Sequence, residues 1–468
     1  MAATQQNASI DREHWTGRIG FILAAAGSAI GLGNIWRFPY SVSEGGGGLF
    51  VIIYLFFVLG IGLPVLLAEL SLGRQSQRNP VGAFKALIPG KFWPYVGGLG
   101  VLTGTAILAF YSVIAGWTVG YLGKSLSGTL AEATDGESSG AVFSSFVADP
   151  LWPVLLSGIF LAITLLVVRG GVAKGIERAT KFLMPALLIL LIALAIQALT
   201  LPGGIDGIIY LFTPDWSKLS LNVVMGALGQ ALFSLSLGMG AMITYGSYAS
   251  KRENLWKSGT YIAIADTGIA LLAGLIIFPT LFFAGAEPNA GPGLVFVVLP
   301  TIFNQMPFGS FFAIAFFSLL TIAALTSTVS LLEVAVAYFV DEKGWRRNKA
   351  ATAISGFCFA LAVPSALAFG AVPQLSGGEQ SILPFNLDFL TLNNNIWGNY
   401  SLSIGAIFIC IGVAWFWGVP KFLASLEDGE DRTFPMPGRE VVGFLVKIIC
   451  PLCVLIVFIF IIVTGNYF

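Results

Sequence analysis

The feature that most limits this chain is a succession of long apolar stretches. A helix needs about 20 mostly apolar residues to cross a bilayer. Eleven stretches meet that demand, at roughly 19–38, 49–72, 96–119, 151–168, 182–201, 221–248, 258–285, 310–340, 350–371, 401–418 and 441–464. None alternates apolar and polar residues as a barrel strand would. Lipid cannot satisfy open backbone groups, so such stretches must be closed helices. Composition agrees: charged residues are 10% of the 468 and hydrophobic ones 56%, against about 25% charged in a soluble chain. That excludes a soluble enzyme, a disordered chain and a secreted disulfide scaffold. The 24 basic and 24 acidic residues cancel, so no net charge draws the chain to nucleic acid. The expected fold class is all-α, a polytopic membrane protein with residues 1–468 forming one transmembrane domain.

The basic residues sort by loop. Twenty-one of the 24, from Arg12 and Arg18 to Arg439 and Lys447, fall on one side of the eleven spans. The other side has Lys124 and Lys218, and Arg37 ends the first span. Positive loops stay inside. The N-terminus is therefore expected in the cytoplasm and, with an odd span count, the C-terminus outside. No short apolar run with a small-residue cleavage site opens the chain, so no signal peptide is expected. Cys358, Cys410, Cys450 and Cys453 all fall in spans. The Cys450-x-x-Cys453 pair reads as small apolar residues on a membrane helix ahead of redox or metal chemistry.

Two spans are interrupted at their centres. Span 1 holds Gly27-Ser28-Ala29-Ile30-Gly31-Leu32-Gly33-Asn34, and span 6 holds Ser234-Leu235-Ser236-Leu237-Gly238-Met239-Gly240. A single Gly-x-Gly in a membrane helix usually serves close packing. Two at matching places in two halves of a chain point to a transporter's binding site. An unwound stretch frees N–H and C=O groups at membrane depth, so it must line a polar cavity. Half-helix N-termini favour anions and freed carbonyls favour cations, so one site can hold a carboxylate and a small cation together.

Ionisable groups inside a membrane are costly and mark function. Here they are Arg37, Glu69, Asp266 and Glu333, with Glu44 near the outer edge. Asp266 is either a helix–helix hydrogen-bonding group or a counter-charge for a cation. Glu69 and Glu333 are open between structural pairing and support of a site. In Leu325-Thr326-Ser327-Thr328 the hydroxyls either bond back to their own helix or offer oxygen ligands to a hard ion.

These residues resemble a known family. Arg12-Glu13-His14-Trp15 with Gly31-Leu32-Gly33-Asn34-Ile35-Trp36-Arg37-Phe38-Pro39-Tyr40 is similar to the opening of the neurotransmitter:sodium symporters. So are Gly229-Gln230, Phe233-Ser234-Leu235-Ser236 and Leu325-Thr326-Ser327-Thr328. The resemblance covers about residues 12 to 464 and looks like the bacterial branch, which includes leucine and multi-hydrophobic amino-acid transporters. It implies two inverted five-helix repeats, about 16–201 and 221–418, and an extra helix at about 441–464. It implies two sodium sites. The first would use Ala29, Asn34, Ser234 and Asp266 with the substrate carboxylate; the second Gly27, Ile30, Ala323, Thr326 and Ser327. The substrate would lie against Ala29, Gly31, Leu32, Gly33 and Tyr111, under Phe233, with Ile107, Ser234, Ser236, Met239 and Leu331 around its side chain. Glu69 would support the site.

Many relatives carry Asn where this chain has Asp266, and use chloride for charge balance. Tyr54, Gln230 and Ser234 match that framework, and the Asp266 carboxylate would supply the charge itself, so chloride is not expected to be required. The resemblance also implies gates. Arg37 and Phe233 would close the outer side, with Asp388 as the partner of Arg37. An insertion around Asn393-Asn394-Asn395 stands between Asp388 and span 10. Arg12, Asp341 and Tyr248 would close the inner side. Gly175 and Pro185 match a pattern linked in that family to inward sodium release; a plain kink is the other reading.

The expected function is sodium-coupled import of neutral hydrophobic L-amino acids, aromatic ones among them, across a bacterial inner membrane by a monomer or weak dimer. Another small amine or osmolyte is the competing substrate class. A channel would need rings of like charge, which are absent. A membrane enzyme would need a nucleophile and base, and the lone His14 lies outside the spans. Gly45-Gly46-Gly47-Gly48 is no phosphate loop, since no Lys-Ser/Thr follows.

Overall fold

The structure is a computed structural model that describes residues 13–133, 135–286, 291–429, 436 and 438–465. The described residues are mostly helical and form no strand, only two isolated bridges, Gly47 to Pro214 and Ser376 to Asp388. Among the described residues, nine continuous helices are long and apolar enough to cross a bilayer. They are span 2 (Gly48–Ser76), span 3 (Trp93–Leu126), span 4 (Trp152–Arg169), span 5 (Val172–Thr200), span 7 (Leu255–Phe283), span 8 (Gly309–Lys343), span 9 (Arg347–Ala366), span 10 (Phe389–Glu427) and span 11 (Arg439–Thr464). Span 1 is the bent pair Arg18–Ala29 and Gly33–Glu44, with 51° between the halves. Span 6 is divided into Leu221–Ser234 and Ala241–Ser247. At 1.5 Å per residue neither half crosses a bilayer alone.

Several spans outrun the apolar stretches. Span 5 begins ten residues before the expected 182, because Lys174, Glu177, Arg178 and Lys181 are helical although polar. Its start is a wider π-helical turn, Val172–Glu177, and Pro185 lies inside the continuous helix that follows. The Gly175-to-Pro185 segment is therefore wound in this conformation. Span 10 begins at Phe389, not 401, and the extra residues form an α-helical turn, Phe389–Asn393, and a π-helical stretch, Asn394–Ser401.

Span 3 is the most buried of the continuous spans, and span 8 packs along it more extensively than any other pair of elements. Spans 5 and 11 lie at the periphery. Their exposed residues, such as Phe182, Ile189 and Ile196, or Ile459, Ile462 and Val463, are apolar, which suits lipid as solvent.

The two breaks lie side by side in this frame. Ser236 Oγ on span 6 donates to the Ser28 carbonyl on span 1 at 2.9 Å. Chain direction there depends on left-handed backbone: Ser236 has φ +54°, Gly238 +83° and Gly240 +75°. At Gly238 an added Cβ would also lie 2.3 Å from the Leu402 carbonyl oxygen of span 10. Gly238→Ala should cost about 1–2 kcal/mol from the backbone alone, with the clash added. A thermal melt of the purified protein in detergent checks this; an unchanged midpoint would contradict it.

Candidate functional site

Between the two breaks lies a cavity of about 30 Å³, room for roughly one water. Ala29, Gly31, Gly33, Ile107, Tyr111, Phe233, Ser234, Ser236, Met239 and Leu331 line it. Leu32 does not; its N–H donates to Tyr111 Oη at 3.0 Å. An added Cβ at Gly31 would come within 2.5 Å of Ser327 Oγ and 2.9 Å of Tyr111 Oη. At Gly33 it would lie 3.0 Å from the Phe233 ring. The glycines are thus what lets these side chains close on the backbone.

Asn34, Ser234 and Asp266 form one buried group. Asn34 Nδ2 donates to Ser234 Oγ (3.0 Å), Asp266 Oδ1 (2.8 Å) and the Asp266 carbonyl (3.1 Å). Ser234 Oγ donates to Asp266 Oδ2 at 2.7 Å, and Tyr54 Oη donates to Ser234 Oγ at 3.4 Å. Asn34 Oδ1 accepts from Gly31 N–H at 3.1 Å, so the same side chain holds the break of span 1. Gln230 stands apart from this group: its Nε2 donates to the Gly33 carbonyl at 2.9 Å.

A second cluster of oxygens lies where span 8 meets span 1. Thr326 Oγ1 is 3.4 Å from the Ile30 carbonyl and 3.0 Å from that of Ala323. Ser327 Oγ is 3.3 Å from the Ser28 carbonyl and 3.4 Å from that of Ile30. An added Cβ at Gly27 would lie 3.4 Å from Thr326 Cβ. The three contacts to the span 1 carbonyls are long for hydroxyl hydrogen bonds, and neutral oxygens converging in this way suit a hard monovalent cation. Glu69 serves the other break: its Oε1 accepts from Gly238 N–H at 2.7 Å.

Two lining residues escaped the sequence reading. Ser28 Oγ donates to Ser330 Oγ at 2.8 Å, and both face the cavity. Ser330 follows Ser327 by three residues, so helical spacing alone was a signal for it.

On the far side of Phe233 from this cavity, the side the resemblance makes the outer one, lies a vestibule of about 400 Å³. Arg37 lies at its floor, stacked on Phe233 with Cζ 4.6 Å from the ring centroid. The expected pairing with Asp388 is not formed. Asp388 caps span 10, accepting from Thr391 N–H at 2.8 Å. The residues of span 10 that line the vestibule with Arg37 are Leu390, Thr391, Asn394 and Asn395. The insertion does not separate Asp388 from the span, since the π-helical stretch absorbs it.

Of the residues expected at the other gate, Arg12 lies outside the described residues. Asp341 accepts from Asn79 N–H (2.9 Å) and Nδ2 (3.1 Å). Tyr248 Oη donates to Glu333 Oε1 at 2.6 Å. Glu333, fully buried, is held from the other side by Arg347, with Nη2 to Oε2 at 2.5 Å and Nη1 to Oε1 at 3.1 Å. Arg347 Nε donates to the Val168 carbonyl at 2.9 Å, which ties spans 8, 9 and 4 together. In the sequence Arg347 was one loop cation among several.

Comparison with known proteins decides the family. The model of the sodium:neurotransmitter symporter family matches residues 12–139 and 147–467. The chain belongs to that family. It is therefore a membrane transporter of a sodium-coupled family. It is 36% identical to the uncharacterized sodium-dependent transporter YhdH of Bacillus subtilis, over 95% of this chain and 96% of that one. It is 28% identical to the human sodium- and chloride-dependent creatine transporter 1, over 89% of this chain and 72% of that one. The crystal structure of MhsT in complex with L-phenylalanine is 44% identical, with a TM-score of 0.86, covering 96% of this chain and 99% of that one. These matches agree with the all-helical fold and its broken spans.

Within this symporter fold the Glu333–Arg347 pair should be structural. Glu333→Gln leaves the part-buried Arg347 without its counter-charge, a loss of about 1–3 kcal/mol. Thermal stability in detergent should fall sharply; a variant melting like the parent would refute this.

Proposed function

We propose that the protein imports neutral hydrophobic L-amino acids, aromatic ones included, in symport with sodium. The observation that carries this reading is the buried Asn34–Ser234–Asp266 group, set beside the freed backbone of span 1 and a small cavity walled by Ile107, Phe233, Met239 and Leu331. One sodium would lie at Ala29, Asn34, Ser234 and Asp266, touching the substrate carboxylate. Another would lie at Gly27, Ile30, Ala323, Thr326 and Ser327. The N–H groups near Gly31 and Gly33, with Tyr111, would meet the carboxylate. Met239, unbranched and polarizable between two glycines, would fit varied apolar side chains. The phenylalanine bound to MhsT supports the same class.

A sodium that shares the substrate carboxylate makes each ligand strengthen the other by the same factor. Movement of Phe233 and Arg37 would close the outer side over both. Rocking of spans 1, 2, 6 and 7 against the rest would then open the inner side. The membrane potential contributes about 2.3 kcal/mol per charge per 100 mV. The loop charges support a cytoplasmic N-terminus and an outer C-terminus in a bacterial inner membrane. Both broken spans come from one chain, so a monomer would suffice.

The tightness of the cavity favours one rival, a smaller amine or osmolyte. Sodium-dependent uptake in proteoliposomes with a competition panel separates the two. Phenylalanine, tryptophan and leucine should compete, and glycine and creatine should not. Preference for glycine or creatine would reject the hydrophobic class.

Chloride is the second test. The relatives named chloride-dependent need an anion that the Asp266 carboxylate would replace. Uptake should persist when gluconate replaces chloride at constant sodium. Asp266→Asn should lose most uptake in gluconate. Chloride-dependent uptake by the parent would refute the assignment.

A further inference from the structure

A cavity of about 1410 Å³ lies away from the transport site. It shares no lining residue with the midplane cavity or the outer vestibule. It is bounded by the short helix Pro80–Leu87, the start of span 3, the end of span 8 and the start of span 9. Its walls are apolar: Leu99, Leu102, Ala335, Phe339, Ile354 and Phe357. Leu102 is 50% exposed, Phe357 55% and Tyr95 76%, so the groove opens on the face of the molecule that meets lipid acyl chains.

Its mouth is cationic. Lys85 and Lys91 line it and form no ion pair among the described residues. Lys349 Nζ lies 4.6 Å over the Trp345 ring and Lys343 Nζ 6.0 Å over the Tyr338 ring, and both rings line the groove. One carboxylate, Glu342, also lines it, but Glu342 Oε1 accepts from Asn79 Nδ2 at 3.3 Å. Asn79 is the cap of helix Pro80–Leu87. All of these lysines belong to the side of the membrane where the positive loops gather.

We propose that this groove binds one anionic diacyl phospholipid from the lysine-rich leaflet. The phosphodiester would lie between Lys85 and Lys91, and the acyl chains along Leu99, Leu102, Ile354 and Phe357. Basic pockets between membrane helices suit anionic headgroups. A water-soluble anion would leave the long apolar floor uncovered, whereas a phospholipid matches charge at the mouth and hydrocarbon below. Gly98, halfway along the wall, has nothing within 4 Å of an added Cβ, so the groove has depth there for a chain. Lipid occupancy here requires neither the sodium nor the amino-acid assignment to hold.

Native mass spectrometry of the purified full chain tests this, with phosphatidylglycerol and phosphatidylcholine of identical acyl chains added in turn. One phosphatidylglycerol should be retained, preferred over phosphatidylcholine by more than about tenfold. Lys85→Gln with Lys91→Gln should weaken phosphatidylglycerol retention about fivefold per lysine and leave phosphatidylcholine unchanged. Gly98→Phe should fill the groove and weaken retention of both lipids. Lys124→Gln, on the other side of the membrane, should change nothing. A single sharp size-exclusion peak shows that each variant folds. Equal retention of the two lipids, or full phosphatidylglycerol retention by Gly98→Phe, would overturn the proposal. So would full displacement by glycerol phosphate at matched concentration, which would mark a soluble-anion site.

Discussion

Backbone groups freed at the middle of a membrane have no water to bond, and the rest of this structure follows from that constraint. Spans 1 and 6 both open at their centres, so other groups must take up what the helices release. Asn34 Oδ1 receives the Gly31 N–H, and Tyr111 Oη that of Leu32. Gln230 Nε2 meets the Gly33 carbonyl, Ser236 Oγ that of Ser28, and Glu69 Oε1 the Gly238 N–H. These partners come from spans 1, 2, 3 and 6. The breaks are therefore held by the bundle as a whole, and the small cavity they enclose is a product of it.

Span 8 links this centre to the Glu333–Arg347 pair and to the lysine-lined groove. Ala323, Thr326, Ser327, Ser330 and Leu331 recur at three- and four-residue spacing and so share one face. That face meets span 1. Two residues on, Glu333 turns to Tyr248 and Arg347. Further along, Tyr338 and Phe339 wall the apolar groove. Because span 8 lies along the deeply buried span 3, these three places are carried on one stiff pair of helices. The cavity-facing hydroxyls and the Glu333–Arg347 ion pair thus share a support that the peripheral spans 5 and 11 do not provide.

Much of this was legible in the residues. The Gly-x-Gly breaks, the intramembrane carboxylate Asp266 and the Thr326-Ser327 pair stood out because each is expensive in lipid unless it has a partner. Ser330 was equally legible by its spacing and was passed over. Arg347 was not, since a cation after a span is ordinary until Glu333 is seen beside it. The Arg37–Asp388 pairing failed for a local reason. The carboxylate is engaged as the cap of span 10, and the π-helical turn after it brings Thr391, Asn394 and Asn395 to the vestibule instead.

The sequence by itself determined the solvent, the stretches that cross it, the two that break, and the side that carries the positive charge. Those follow from composition and spacing along the chain, where the bilayer reads each segment separately. Only the tertiary structure decided which oxygen meets which donor. Asn34 and Asp266 are 232 residues apart, and Ser28 and Ser330 are 302 apart. Their contact depends on how helices pack and tilt against one another, to within an ångström, and no pattern along one helix encodes that.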